Sequence, residues 1–142
     1  MVTIDRELLE RYDRPGPRYT SYPTAPVWTD SFGPKDYEAR LAAAGRRGEQ
    51  PFSLYVHIPY CESMCWYCAC SVVVSKDPEK ARRYVDTVLQ EADIVSRHLG
   101  ETERRILQHH WGGGTPTFLP PAECRRLFVG LCERFPLQPG AE

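Results

Sequence analysis

No charge of one sign dominates this chain. Its 18 basic and 19 acidic residues leave a formal net charge of −1, so nothing sequence-wide draws it to nucleic acid or to an anionic membrane. No apolar run approaches the ~18 residues that cross a bilayer. The N-terminus, Met1-Val2-Thr3-Ile4-Asp5-Arg6-Glu7-Leu8-Leu9, is charged and lacks the apolar core of a secretory signal. A cytoplasmic location is therefore expected, where thiols are kept reduced. Also missing is a second, well-separated C-x2-C pair of the kind common zinc sites use. What is abundant is proline and glycine, 13 and 10 in 142 residues, together with six cysteines. In a reducing compartment, cysteines in that number favour metal binding or catalysis over a disulfide framework. The length fits one domain of ordinary size.

Four of the cysteines fall in one short stretch, Cys61, Cys65, Cys68 and Cys70, with the spacing C-x3-C-x2-C-x-C. Thiolates this close in sequence can converge on one point and bind a soft metal centre. An iron–sulfur cluster suits so compact a loop. A cubane held by three cysteines would leave one iron open to a small molecule. Zinc held by four thiolates or by thiolates and histidine, and unmetallated thiols, are the alternatives. Cys124 and Cys132, eight apart among apolar neighbours on an expected helix, read as core cysteines.

Residues 5–12 read as a short helix capped by Asp5 and ended by Pro15-Gly16-Pro17. The segment 18–26 is too rich in proline and aromatics for a regular element and is expected to be extended. A second helix is expected over 35–45, with Tyr37, Leu41 and Ala44 on one face. The polar break Gly45–Gln50 places a boundary, giving an N-terminal helical and extended region over 1–50 and a second region over 51–142. Phe52 to Ile58 alternates. Phe52, Leu54, Val56 and Ile58 are expected to pack on helices, and Tyr55 and His57 to face the opposite side. Pro59 ends the strand and the cysteine loop follows at once. Asp77-Pro78 opens a long helix closed by Gly100. Arg105 to Trp111 reads as a second strand, running into Gly112-Gly113-Gly114-Thr115-Pro116-Thr117. Pro120-Pro121 opens a further helix with Leu127, Phe128, Leu131 and Phe135 inward, and Phe135-Pro136 ends it. The order β-loop-α-β-loop-α implies parallel strands. Such sheets are covered on both faces, so two strands imply the N-terminal part of a larger protein or a partner. Both loops leave the C-terminal ends of strands, where α/β folds place their chemistry, which argues for one shared pocket. His98, His109 and His110 read as structural.

Taken together, these residues resemble a family. The C-x3-C-x2-C loop with an aromatic before its third cysteine resembles the radical S-adenosylmethionine enzymes. Pro17-Arg18-Tyr19-Thr20-Ser21-Tyr22-Pro23-Thr24, Leu54-Tyr55-Val56-His57-Ile58-Pro59-Tyr60-Cys61, Cys70 and His110-Trp111-Gly112-Gly113-Gly114-Thr115-Pro116-Thr117 are similar to the oxygen-independent coproporphyrinogen III oxidase family. The resemblance implies an α/β fold, the N-terminal part of a partial (βα)6 TIM-like barrel behind a small helical and extended cap. It implies a 4Fe–4S cluster on Cys61, Cys65 and Cys68, with Cys70 near the cluster but not a ligand. Two S-adenosylmethionine molecules are implied. Tyr55 and Gly113 would contact the first; Tyr67, Gly114 and Thr115 would contact the second. Tyr67 stands where phenylalanine is familiar.

The implied reaction begins when reductive cleavage of the sulfonium yields a 5′-deoxyadenosyl radical. That radical takes hydrogen from a propionate of coproporphyrinogen III, and loss of CO₂ and an electron leaves a vinyl group. Two such events give protoporphyrinogen IX for haem synthesis. An unidentified electron donor is required, and the full-length protein is expected to be a monomer with no nucleic-acid or membrane partner. This chain alone is expected to be inactive. A haem chaperone-like relative is the nearest alternative, but it is expected to lack Cys70 and the Arg18–Pro23 segment. Outside the superfamily stands a non-enzymatic zinc-binding interaction module.

Overall fold

The structure is a computed structural model that describes residues 5–13, 27–47, 50–66, 68, 72–100 and 105–142. The expected extended segment 18–26, Tyr67 and Cys70 lie outside the described residues. The chain divides into two compact units, Met1–Gly33 and Pro34–Glu142. The first contains α1 (Arg6–Tyr12). Its N-cap Asp5 accepts hydrogen bonds from the backbone N–H groups of Glu7 and Leu8, as the sequence predicts, and it buries none of its residues.

The second unit runs α2 (Pro34–Gly45), β1 (Phe52–Ile58), β2 (Tyr60–Cys61), β3 (Val73–Val74), α3 (Pro78–Leu99), β4 (Ile106–Gly113), a 3₁₀ turn (Pro116–Phe118) and α4 (Pro121–Arg134). β1 and β4 pair in parallel, with α3 as the intervening helix. The alternation over 52–58 sets β1 as expected: Val56 and Ile58 are buried while Ser53 and Tyr55 are exposed. α3 is bounded by N-cap Asp77, which accepts from Glu79 N–H, by Pro78 at its first turn, and by Gly100 in a left-handed conformation at its end. Among the described residues, no helix is long and apolar enough to cross a membrane.

The core joins Val56 and Ile58 of β1, Ala81, Val85 and Ala92 of α3, Ile106 of β4, and Leu127, Leu131 and Phe135 at α4. Fully burying the valine, isoleucine, leucine and phenylalanine side chains among these stabilises by roughly 1.5–3 kcal/mol each. Gly130 earns its place by size. A Cβ there would stand 2.7 Å from Leu89 Cδ2, so its absence lets α4 close on α3. Arg134 clamps the same seam, its Nε and Nη2 donating to Asp93 Oδ1 and Oδ2 at 2.6 and 3.0 Å. That hydrogen bonding holds the Asp93 carboxyl below its ordinary pKa.

Some expectations need correction. Phe128 does not face inward with Leu127 and Leu131. It is 43% exposed and stacks on His109, with ring centroids 5.5 Å apart and an 11° interplanar angle. A helical period of 3.6 puts Leu127 and Phe128 100° apart, so both cannot point into one seam. β4 is longer than the expected strand: Gly112 and Gly113 stay in register with His57 and Ile58. Glycines read as a loop thus continue the ladder, because nothing in a parallel pairing demands a side chain. Past α4, Leu137 bridges Ile106 in parallel on β4.

The polar break at Gly45–Gln50 lies inside the second unit, because α2 packs on α3. The contact turns on Gly45, which is buried. A Cβ there would lie 1.9 Å from the Leu99 carbonyl oxygen, a backbone atom that cannot swing aside. Gly45→Ala is therefore expected to lift α2 from the end of α3 and to cost about 2 kcal/mol, read as a lower urea midpoint.

His109 is structural, as expected. Trp111 Nε1 donates to its Nε2 at 2.7 Å, which assigns the ring proton to Nδ1, a buried atom with no partner among the described residues. Burial pushes the imidazole pKa down. A depressed folded-state pKa means that stability is complete above the unfolded value near 6.5 and is lost as pH falls through it toward the folded value. His109→Gln keeps an acceptor for Trp111 but does not titrate. It is expected to flatten the decline of the unfolding midpoint below about pH 6.5; an unchanged slope would assign that decline to other groups.

Candidate active site

The cysteine loop begins where β1 ends. β2 and β3 pair in parallel, Tyr60 with Val73 and Cys61 with Val74. Val73 N–H donates to Pro59 O at 2.6 Å and Ser75 N–H to Cys61 O at 2.9 Å. This clasp joins the two ends of the loop. Below it, the Tyr60 ring stacks on Phe118 at 5.2 Å and meets Tyr84 edge-on at 5.5 Å. The Tyr84 hydroxyl donates to the His57 carbonyl, and its pKa is raised, first by burial and then by the Glu91 charge. The root of the loop is thus held by aromatic packing, while its tip is open. Cys65 is exposed, and Met64 and Trp66 are 67% and 108% exposed.

Across from the loop stands the glycine turn at the end of β4. Gly113 has φ +106°, and a Cβ on it would meet Ile58 O at 2.7 Å and the His57 ring at 3.0 Å. A Cβ on Gly114 would meet Tyr60 O at 2.7 Å and Cys61 Sγ at 2.9 Å. Gly114 N–H donates to Ile58 O at 2.7 Å and Thr115 N–H to Tyr60 O at 2.9 Å. Gly114 therefore has its N–H committed to β1 and offers no donor to a ligand. Its contribution is close approach: it brings the turn against Cys61. There the Thr115 hydroxyl lies 3.2 Å from Cys61 Sγ.

The result is a cavity of about 670 Å³ lined by Cys61, Cys65, Cys68, Gly113, Gly114 and Thr115, among others. Six of the eight residues singled out from sequence therefore share one space. Tyr55 does not line it. It lies on the non-helical sheet face, stacked on His110 at 5.8 Å, with its hydroxyl 3.2 Å from His57 Nδ1. Gly112 makes this possible, since a Cβ there would stand 2.7 Å from the Tyr55 hydroxyl. Tyr55 and His57 border a different cavity of about 630 Å³ along β1, whose walls include Leu41, Val88, Val95 and Leu99. His98 Nε2 lies 3.9 Å from Glu38 Oε1, between α3 and α2. Sequence reasoning missed the clasp, the Gly112–Tyr55 fit and the Thr115–Cys61 contact. Only the clasp had a local signal, the β-branched run Val72-Val73-Val74 after the loop.

Among the described residues, no three His, Cys, Asp or Glu side chains meet closely enough to grip a single metal ion. Three thiols instead border a space with room for a polynuclear centre, and no imidazole lines it. Soft sulfur donors without a histidine fit an iron–sulfur cluster.

These parallel βα elements, with a thiol-lined cavity at the C-terminal ends of the strands, match the N-terminal part of a radical SAM fold. The solved structure of coproporphyrinogen III oxidase from Escherichia coli, described as a radical SAM enzyme, superposes with a TM-score of 0.79 and 38% identity, covering 96% of this chain and 29% of that one. The oxygen-independent coproporphyrinogen III oxidase of Pseudomonas aeruginosa is 47% identical over 130 residues, 92% of this chain and 28% of the relative. That of E. coli K12 is 44% identical over 141 residues, 99% and 30%. That of Mannheimia haemolytica is 38% identical over 141 residues, 99% of this chain and 93% of the relative. The chain belongs to the oxygen-independent coproporphyrinogen III oxidase family. It spans less than a third of the length of the P. aeruginosa and E. coli relatives. No family model matches it.

Proposed function

We propose that this chain carries the cluster site, and part of the S-adenosylmethionine site, of an oxidase that converts propionates of coproporphyrinogen III to the vinyl groups of protoporphyrinogen IX in haem biosynthesis. The observation that carries the reading is the meeting of Cys61, Cys65 and Cys68 with the Gly113–Thr115 turn around one cavity. These three thiolates would hold a 4Fe–4S cluster and leave one iron for S-adenosylmethionine. When bound, that cluster supplies the electron for cleaving the sulfonium.

The chain's own residues then have distinct tasks. The β2–β3 clasp and the Tyr60–Phe118 stack set the position of Cys61, while Cys65 stands exposed at the loop tip and Cys68 half-buried beside it. Gly113 and Gly114 keep side chains out of the space beside the sulfurs, so a small molecule can approach closely. The resemblance assigns Gly113 and Tyr55 to the first S-adenosylmethionine; Gly113 lines the thiol cavity, whereas Tyr55 stands outside it with one ring face stacked on His110. Tyr67, Gly114 and Thr115 are assigned to the second. The enzyme would be cytoplasmic and monomeric at full length and would draw its electron from a separate donor.

Anaerobic reconstitution with iron and sulfide tests the reading. The expected product is brown, with broad visible absorption and about four irons per chain. Stoichiometric zinc with no uptake of iron would overturn it in favour of a zinc-binding module.

A further inference from the structure

We propose that Thr115 is a positioning residue for the cluster. Its hydroxyl donates a hydrogen bond to the Cys61 sulfur and thereby raises the reduction potential of the bound cluster. This rests on the reading above, in which Cys61 is a ligand.

The contact joins residues 54 apart in the chain at 3.2 Å, and the backbone on both sides is pinned. Thr115 N–H is held by Tyr60 O, Gly114 N–H by Ile58 O, and Cys61 O by Ser75 N–H. Pro116 follows and fixes its own φ, so the turn has little freedom to retract. A Cβ on Gly114 would stand 2.9 Å from Cys61 Sγ, so glycine there lets the turn approach the sulfur closely. Thr115 also occupies the N-cap of the 3₁₀ turn, where a threonine hydroxyl ordinarily accepts from the backbone. Here the side chain makes no cap hydrogen bond. Its hydroxyl is directed to Cys61 instead.

The chemistry sets the sign. A metal-bound thiolate has no proton, so in the loaded protein the hydroxyl is the donor and sulfur the acceptor. Reduction adds negative charge to the cluster and its sulfurs, and charge-assisted hydrogen bonds strengthen as that charge grows. The bond therefore favours the reduced state. Hydrogen bonds to cluster sulfurs are among the factors that set cluster potentials.

The test compares the wild-type chain with Thr115→Val, close in shape but without a hydroxyl, and Thr115→Ser, which keeps it. All three are reconstituted anaerobically and titrated with a reductant in the absence of S-adenosylmethionine, the reduced cluster being read by electron paramagnetic resonance. The expected result is full iron content in all three, with the wild-type midpoint kept by Thr115→Ser and a lower one in Thr115→Val. A tenfold change in the reduced-to-oxidised ratio corresponds to a drop of about 59 mV for one electron. Omitting S-adenosylmethionine separates this role from any contact Thr115 makes with that cofactor. A wild-type midpoint in a fully loaded Thr115→Val protein overturns the inference. Failure of Thr115→Val to load while Thr115→Ser loads supports the contact; equal failure of both overturns it. If the wild type itself takes up no iron, the cluster assignment fails, and this inference with it.

Discussion

Replacing Cys65 by alanine is expected to leave the fold intact and to abolish cluster assembly. Cys65 is exposed and, among the described residues, stands outside the hydrophobic core. Truncation at such a position changes stability by no more than about 0.5 kcal/mol. In the proposed cluster site, however, its thiolate is one of the three assigned ligands. Iron content after reconstitution is expected to fall from about four per chain to well under one, with an unchanged unfolding midpoint for the apo chain. Cys124→Ala and Cys132→Ala provide the opposite pattern. Burial raises both thiol pKa values, and the Cys124 thiol donates to Leu119 O at 3.3 Å. Those variants are expected to keep full iron content and to lose about 1 kcal/mol of stability. Four irons in the Cys65→Ala protein would remove Cys65 from the ligand set.

Gly113→Ala is expected to have the largest effect on stability of any single methyl added near the site. Two costs add there. A non-glycine residue at φ +106° carries strain of about 1–3 kcal/mol. The added carbon also meets the Ile58 carbonyl at 2.7 Å, and relieving that overlap costs about 1–3 kcal/mol more. A loss of about 3 kcal/mol, or roughly 10 °C in Tm for a chain of this size, is expected from chemical and thermal unfolding. Gly100→Ala separates the two costs. Gly100 has φ +79° with nothing within 4 Å of the added carbon, so only the strain applies, about 1–3 kcal/mol. Equal losses in the two variants would show that the contact at Ile58 relaxes freely.

Local chemistry made much of this protein legible in its sequence. Strict alternation bounds β1 at Phe52 and Ile58. An aspartate followed by proline starts α3, and glycine ends it. These signals act over a few residues, through backbone donors and acceptors that the next side chain can reach. The cysteine spacing and the glycine run were equally plain, and two loops at the ends of adjacent parallel strands had to share a space. Phe128 was misjudged because hydrophobicity states that a ring prefers cover without stating which neighbour supplies it. The two-residue strands β2 and β3 carry too little periodicity to stand out.

By itself the sequence determined the order of the main helices and strands, the caps of α1 and α3, the donor chemistry of the loop and the family to which the chain belongs. Only the tertiary structure decided which atoms meet. Gly45 touches Leu99, Gly112 clears the Tyr55 ring, and Thr115 reaches the Cys61 sulfur across 54 residues. Contacts of that range depend on the parallel register of β1 and β4 and on the close approach that missing Cβ atoms allow. Neither is a property of any short run of residues.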